Sequence, residues 1–199
     1  MEELRLALFA SHNGSNIQEI INACKKKELH AIPCIIISNN SESKVLKRAK
    51  EERIPFRHLS SKTHPDLNDL DTEILETLKK YNVNLIILAG YMKKLGPKVL
   101  KNYKSRILNI HSALLPKYGG KGMYGNYIHE AVLQAKEKET GVTIHIVDED
   151  YDTGRIINQI KVPVFESDTV EILSKRVLEQ EHKIYVDTLN KIYEGKIKL

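Results

Sequence analysis

Short apolar runs alternate along the first half of the chain with segments in which apolar residues recur at helical spacing. The runs 4–10, 32–37 and 85–89 are almost entirely apolar, which is typical of strands buried on both faces of a sheet. A short third strand is predicted after 54–56. The helical stripes between them are Ile17, Ile20, Ile21 and Cys24, then Val45, Leu46 and Ala49, then Ile74, Leu75, Leu78 and Tyr81. Because the connections are short, this alternation predicts an α/β fold with a doubly wound, mostly parallel, Rossmann-like sheet.

The second half of the chain continues the pattern. Helices are predicted over 97–103 and 128–135, and strands over 107–110, 141–147 and 156–164. A last apolar stripe predicts a long C-terminal helix that Asp168 caps. The expected core contacts of this helix are Val170, Leu173, Val177, Ile184 and Leu189. Since no repeat, low-complexity tract or linker interrupts the pattern, we expect one domain over residues 1–199.

The composition is that of a soluble globular protein, with 41% hydrophobic and 29% charged residues among 199. No apolar run approaches the roughly 18 residues of a membrane span. Glu2-Glu3 leads straight into a strand-like segment without the parts of a targeting signal, which favours the cytoplasm. The net charge of +5 is spread out, and the short lysine clusters lack interleaved aromatics. Small anionic substrates therefore suit the chain better than nucleic acid.

Metal chemistry is not indicated by the sequence. Cys24 and Cys34 are the only cysteines, no CxxC occurs, and the eight histidines form no HxH or HExxH arrangement. We expect no metal site.

A polar pair stands at the end of one predicted strand. Asn109 and His111 occupy alternate positions, so both lie on one face of that strand. Gly14 and Gly90 also follow predicted strands, and ligands of open parallel sheets bind at the C-terminal ends of the strands. The pair suits catalysis there, although an asparagine and a histidine that merely close off a strand with hydrogen bonds would give the same pattern.

A second candidate is the turn Gly14-Ser15-Asn16 at the start of the first helix. Unpaired N–H groups at a helix start bind anions, and glycine lets a phosphate approach closely. Neither GxGxxG nor a Walker loop is present. A plain turn with a helix cap remains the alternative.

Asp152 is the third candidate, in the acidic loop after the strand 141–147. A carboxylate beside His111 would raise the pKa of the imidazole and fix its orientation. With Asn109, the set supplies what attack of an amine on a carbonyl needs: donors for an oxyanion and a route for a proton. The neighbouring Asp148, Glu149 and Asp150 could instead be merely solvated.

The sequence resembles the phosphoribosylglycinamide formyltransferases, folate-dependent enzymes of purine synthesis, over nearly its whole length. The matching segments are Asn13-Gly14-Ser15-Asn16, Leu88-Ala89-Gly90-Tyr91-Met92, Asn109-Ile110-His111 with Leu114-Leu115-Pro116, His145 with Asp152-x-Gly154, Val162-Pro163-Val164 and Gln180-Glu181-His182. Their order and spacing are more specific than any single motif.

The resemblance implies a role for each matching segment. The catalytic residues would be Asn109, His111 and Asp152, with formyl transfer from 10-formyltetrahydrofolate to glycinamide ribonucleotide and no metal. The ribonucleotide would bind Gly14, Ser15, Asn16 and Glu181. The folate pocket would be lined by Met92, Lys93, Lys94, Leu95, Asn109, Asp148, Glu149, Asp150 and Tyr151. A phosphate-binding half, about 1–105, would precede a folate and catalytic half, about 106–199, with a late antiparallel strand, in a monomer or homodimer.

Three positions and one loop depart from the usual family pattern. His12 replaces a glycine, Ser112 a proline and Lys93 an arginine, and the loop Tyr118–Gly125 is longer and richer in glycine.

The alternative functions are those of a formyltetrahydrofolate deformylase, a sugar-nucleotide formyltransferase or a non-catalytic nucleotide-binding module. A methionyl-tRNA formyltransferase would need a further C-terminal domain.

Overall fold

A computed structural model describes residues 3–199, so that Met1 and Glu2, on which the N-terminal prediction partly rests, lie outside the described residues. The strands are β1 Leu4–Phe9, β2 Ala31–Ser38, β3 Phe56–His58, β4 Leu85–Leu88, β5 Ile107–His111, β6 Glu139–Ile146 and β7 Ile156–Pro163. The helices are α1 Ser15–Lys25, α2 Lys44–Glu51, α3 Leu67–Lys80, α4 Pro97–Asn102, α5 Asn126–Gln134 and α6 Val170–Tyr193.

The seven strands form one sheet in the order β3-β2-β1-β4-β5-β6-β7. Neighbours from β3 to β5 are parallel, while β6 pairs antiparallel with both β5 and β7. A single strand, β6, therefore runs against the others. The predicted fold class is confirmed, including the late antiparallel strand.

Alternation along the strands divides the core into two layers. Leu6 and Leu8 of β1 face a layer with α1, α2, α5 and α6, whereas Ala7 and Phe9 face a second layer with α3 and α4. This two-sided burial explains the uninterrupted apolar runs. Among the helices in residues 3–199, none combines the length and apolarity that crossing a membrane requires.

The predicted cap of the last helix is wrong by one residue. Thr169 is the N-cap of α6, and its side chain accepts a hydrogen bond from the N–H of Ile172. Asp168 instead forms a bidentate ion pair with Arg176, with N–O distances of 2.6 and 2.7 Å, and accepts the N–H of Phe165. The carboxylate is therefore used by a guanidinium on the same helix, and the hydroxyl next to it caps the helix.

Candidate active site

His111, Asp152 and His145 form a buried cluster beside β5. The Nδ1 atom of His111 lies 3.6 Å from Oδ2 of Asp152, and Nε2 of His145 lies 3.4 Å from Oδ1. The backbone N–H of Gly120 donates to the same Asp152 carboxylate at 2.9 Å. The histidine side chains are 6% and 3% exposed and that of Asp152 11%, so these charges and dipoles interact with little screening by solvent.

Asn109 joins the cluster from the strand itself. Its Nδ2 lies 3.1 Å from Nε2 of His145, the residue directly opposite in the antiparallel pairing of β5 and β6. The Nδ1 of His145 lies 2.9 Å from the carbonyl oxygen of Ile146, which can only accept. The neutral His145 ring therefore carries its proton on Nδ1, and Nε2 accepts from the Asn109 amide.

Asp152 reaches the cluster from the opposite end of β5. The β6–β7 loop begins at Val147, whose N–H donates to the carbonyl of Ile107, the first residue of β5. The loop then folds back over the sheet, and Asp152 adopts a left-handed backbone with φ of 58°. The predicted triad is thus brought together, although on the face of the strand pair rather than wholly at the C-terminal edge.

Burial dominates the titration of His111. Loss of solvent lowers its pKa, and the nearby Asp152 charge and the Tyr118 hydrogen bond, which both raise it, do not compensate fully. The predicted influence of Asp152 is therefore present, but the pKa stays below the ordinary value for histidine. Nε2 of His111 lies 2.7 Å from the Tyr118 carbonyl oxygen, so the neutral ring carries its proton there.

Asp152 is ionised in this setting. Burial raises the pKa of its carboxyl, but the neighbouring rings of His145 and His111 and the Gly120 N–H together bring it below the ordinary value. Gly120 has φ of 93°, a conformation that favours glycine, so the glycine-rich loop can aim this N–H at the carboxylate.

The predicted anion turn has the backbone geometry that it needs. Gly14 is the N-cap of α1 with φ of 67°, and no side chain caps the helix. A Cβ at Gly14 would lie 2.4 Å from Cγ2 of Val45, so a larger residue is excluded by both conformation and space. Arg48 anchors the turn by donating from Nε to the carbonyl oxygen of Asn13 at 2.9 Å.

Glu181 lies next to this turn, as the resemblance implies for a substrate-binding set. Its side chain on α6 accepts from Asn16 Nδ2 at 2.7 Å and from Ser112 Oγ at 2.6 Å. The Oδ1 atom of Asn16 is buried without a hydrogen-bond partner in the described structure. Since Ser112 directly follows His111, the predicted anion turn and the cluster around His111 meet at the end of β5.

The segments predicted for folate face each other across a cleft. The walls include Leu88, Tyr91, Lys93, Lys94, Leu95, Asn109, His145 and Asp148–Asp152. Lys94 joins the two sides, because its Nζ donates to the carbonyl of Glu149 at 2.8 Å and lies 4.5 Å from the centre of the Tyr151 ring. Met92 is not part of this lining; its N–H donates to Ser11 Oγ at 2.7 Å.

Ser11 connects the anion turn to the cleft. It is 2% exposed, and its N–H donates to the Gly90 carbonyl at 3.0 Å while its hydroxyl accepts from Met92. The hydroxyl donates in turn to Asn39 Oδ1 at 2.5 Å. One buried side chain thus links the ends of β1, β2 and β4.

Known proteins are similar to this chain in both fold and sequence. The family model described as formyl transferase matches residues 4–189. The chain belongs to the formyl transferase family.

Its relatives in this family include proteins named phosphoribosylglycinamide formyltransferase. The chain is 40% identical to the chloroplastic protein of Arabidopsis thaliana over 98% of its own length and 67% of that protein. Identity to the Haemophilus influenzae protein is 37% over 98% of this chain and 90% of that one. The crystal structure of the Bacillus halodurans protein superposes with a TM-score of 0.87 at 39% identity, covering 94% of both chains. The resemblance predicted from the sequence is confirmed.

The departures from the family pattern lie around the site rather than within the cluster. His12 is exposed, and its carbonyl accepts the N–H of Val45. Lys93 is exposed on the wall of the cleft. The loop 118–125 supplies the Tyr118 carbonyl to His111 and the Gly120 N–H to Asp152.

Sequence reasoning missed part of the cluster. His145 was matched to the family without a role, yet it touches both Asn109 and Asp152. The alternating pattern of its strand predicts which face His145 lies on. It does not predict the strand register that places His145 opposite Asn109. The backbone groups of Tyr118 and Gly120 left no signal in the sequence.

Proposed function

We propose that this protein transfers the formyl group of 10-formyltetrahydrofolate to the amino group of glycinamide ribonucleotide, a step of purine synthesis. The proposal is supported by the family membership, by the names of relatives, and above all by one observation. Asp152 lies 3.6 Å from His111 and 3.4 Å from His145, which in turn holds the Asn109 amide. Amide, imidazole and carboxylate thus form one contiguous group.

The ribonucleotide binds across the junction of α1, α6 and β5. Its phosphate lies on the N–H groups of the turn 14–16, where the helix dipole favours negative charge. Glu181 and the buried Oδ1 of Asn16 accept hydrogen bonds from its donor groups. The pterin end of the folate lies in the cleft between 93–95 and 148–152.

The amine attacks the formyl carbon, and the carbonyl oxygen becomes an oxyanion. One N–H of the Asn109 amide is used by His145, and the second donates to the oxyanion. The Nε2–H of His111 is the other donor, which requires it to leave the Tyr118 carbonyl when the 118–125 loop shifts. The lowered pKa of His111 favours the neutral imidazole, and the Nε2–H of the neutral ring can still donate a hydrogen bond to the oxyanion.

The bond from the formyl carbon to nitrogen 10 then breaks. Through water, the proton of the former amine first reaches the free Nδ1 of His111, which becomes an imidazolium. The imidazolium then gives its Nε2 proton to nitrogen 10, and the ring is neutral again. The amine thus loses one proton and nitrogen 10 gains one, which balances the reaction. Asp152 stabilises the imidazolium whenever it forms, as an ionised neighbour of Nδ1.

A spectroscopic assay of deformylated folate, run with and without glycinamide ribonucleotide, tests the proposal. Amine-dependent release of tetrahydrofolate supports it. Release without amine would indicate a deformylase, release only with an amino-sugar nucleotide would indicate a sugar formyltransferase, and no release would indicate a binding module. A cytoplasmic location, the single domain with two halves and the oligomeric state remain predictions.

A further inference from the structure

The carboxylate of Glu181 is buried and held by neutral donors from two other elements. Ser112 Oγ donates to Oε1 at 2.6 Å, and Asn16 Nδ2 donates to Oε2 at 2.7 Å. Glu181 is only 7% exposed. Burying a carboxylate is unfavourable unless hydrogen bonds replace its hydration, so these two donors set where the group can lie.

No cation shares this task within residues 3–199, where none of the ion pairs includes Glu181. Each oxygen has one protein donor and retains acceptor capacity. The unpartnered Oδ1 of Asn16 adds a further buried acceptor. Together these atoms suit a ligand that is rich in hydroxyl or amino donors.

We infer that Ser112 is a positioning residue, which fixes the Glu181 carboxylate for the ribonucleotide and ties it to the strand that carries His111. The inference rests on the function proposed above. Ser112 is the residue after His111, so its hydroxyl sets the distance between the substrate-binding carboxylate and the reacting group. Proline, which the family pattern described above has at this position, would have no hydroxyl to donate.

Ser112→Ala tests the inference in the full chain. Loss of a hydrogen bond to a charged group corresponds to about a tenfold change or more, so KM for glycinamide ribonucleotide should rise about tenfold. KM for 10-formyltetrahydrofolate and kcat should stay within about twofold, because the cleft and the cluster keep their contacts. Ser112→Thr, which retains the hydroxyl, should restore most of the affinity.

Ser174→Ala is the matched control, since this α6 hydroxyl donates to the Glu171 carbonyl on the exposed side of the helix. It should leave both KM values unchanged. Thermal unfolding of each variant checks the fold, and Ser112→Cys, which nearly conserves volume but donates weakly, replaces Ser112→Ala if the latter does not fold.

Two results would overturn the inference while the wild-type enzyme remains active. One is an unchanged KM for the ribonucleotide in Ser112→Ala. The other is an equal rise of both KM values, which indicates a general loss of structure. A wild-type protein without amine-dependent transfer would instead reject the proposed function itself.

Discussion

Asn109 and His145 are cross-strand partners in β5 and β6, with 3.1 Å between Asn109 Nδ2 and His145 Nε2. The Ile146 carbonyl fixes the proton of His145 on Nδ1, which leaves Nε2 as the acceptor for the amide. The amide of Asn109 is therefore oriented by the tautomer of a residue on the neighbouring strand.

Replacement of His145 should slow the reaction, although the Asn109 amide that donates to the oxyanion is still present. In His145→Ala the Asn109 amide loses its partner and rotates, so we expect kcat to fall about tenfold, the value of one ordinary hydrogen bond. Steady-state kinetics measure the fall. His30→Ala, on the far side of the protein against Tyr193, is the control and should keep full activity.

Removal of the donor itself should have a larger effect. Asn109→Ala is expected to lower kcat by about 10²–10³, the cost of one oxyanion donor. The variant should fold, because the side chain is only half-buried in a strand whose ladder is unchanged. Asn102→Ala, which removes an exposed amide from α4, is the control. Near-normal turnover in Asn109→Ala would exclude its amide from the chemistry.

Local patterns predicted most of the fold, since the strands of this sheet are continuous apolar runs and the helices carry regular stripes. The contacts of the site were less predictable. Alternation placed Asn109 and His111 on one face, but the approach of Asp152 from the opposite end of β5 depends on how the β6–β7 loop folds back. The prediction that Asp168 caps α6 was wrong for a related reason. Asp168 pairs with Arg176, and local capping rules do not take that partner into account.

His111 should titrate below the ordinary histidine pKa of about 6.5. Burial lowers its pKa, and Asp152 partly opposes this effect. In Asp152→Asn the pKa of His111 should therefore fall further, which NMR titration of the ring measures. Asp150→Asn, in the exposed part of the same loop, should leave the His111 titration unchanged. A rise in Asp152→Asn would contradict the assigned electrostatics.

The rate should follow the same titration. The proposed mechanism uses the neutral ring, so kcat/KM should be retained above the pKa of His111 and decrease as pH falls through it. The acid limb should move to lower pH in Asp152→Asn, together with the NMR titration. An acid limb that did not move with the ring would assign it to another group.

Acid should destabilise the fold partly through His129. This side chain on α5 is 4% exposed, and burial lowers its pKa. A lowered folded-state pKa means that the unfolded chain binds the proton more readily, so stability is complete above about pH 6.5 and is lost as pH falls through the folded value. Urea unfolding of His129→Leu should show a smaller loss of free energy between pH 8 and pH 5, whereas exposed His12→Gln should match the wild type.

Asp71 should contribute to stability by capping a helix that is not its own. This α3 carboxylate is 3% exposed and accepts the N–H groups of Lys98 and Val99 at the start of α4 at 2.7 and 3.2 Å. Asp71→Ala leaves those donors unpaired, so the free energy of unfolding should fall by about 1–3 kcal/mol. Glu76→Ala, exposed on the same helix, should change it by less than about 0.5 kcal/mol.

The hydroxyl of Ser11 connects loops that lie next to the two proposed subsites. Its bonds to Met92 and Asn39 tie the loop that follows β1 to the loops that follow β4 and β2. Through this tie we expect occupancy of one proposed subsite to change the affinity of the other, by the same factor in either order of addition. Engineering the cleft to accept a different one-carbon donor should therefore also change the affinity for the ribonucleotide.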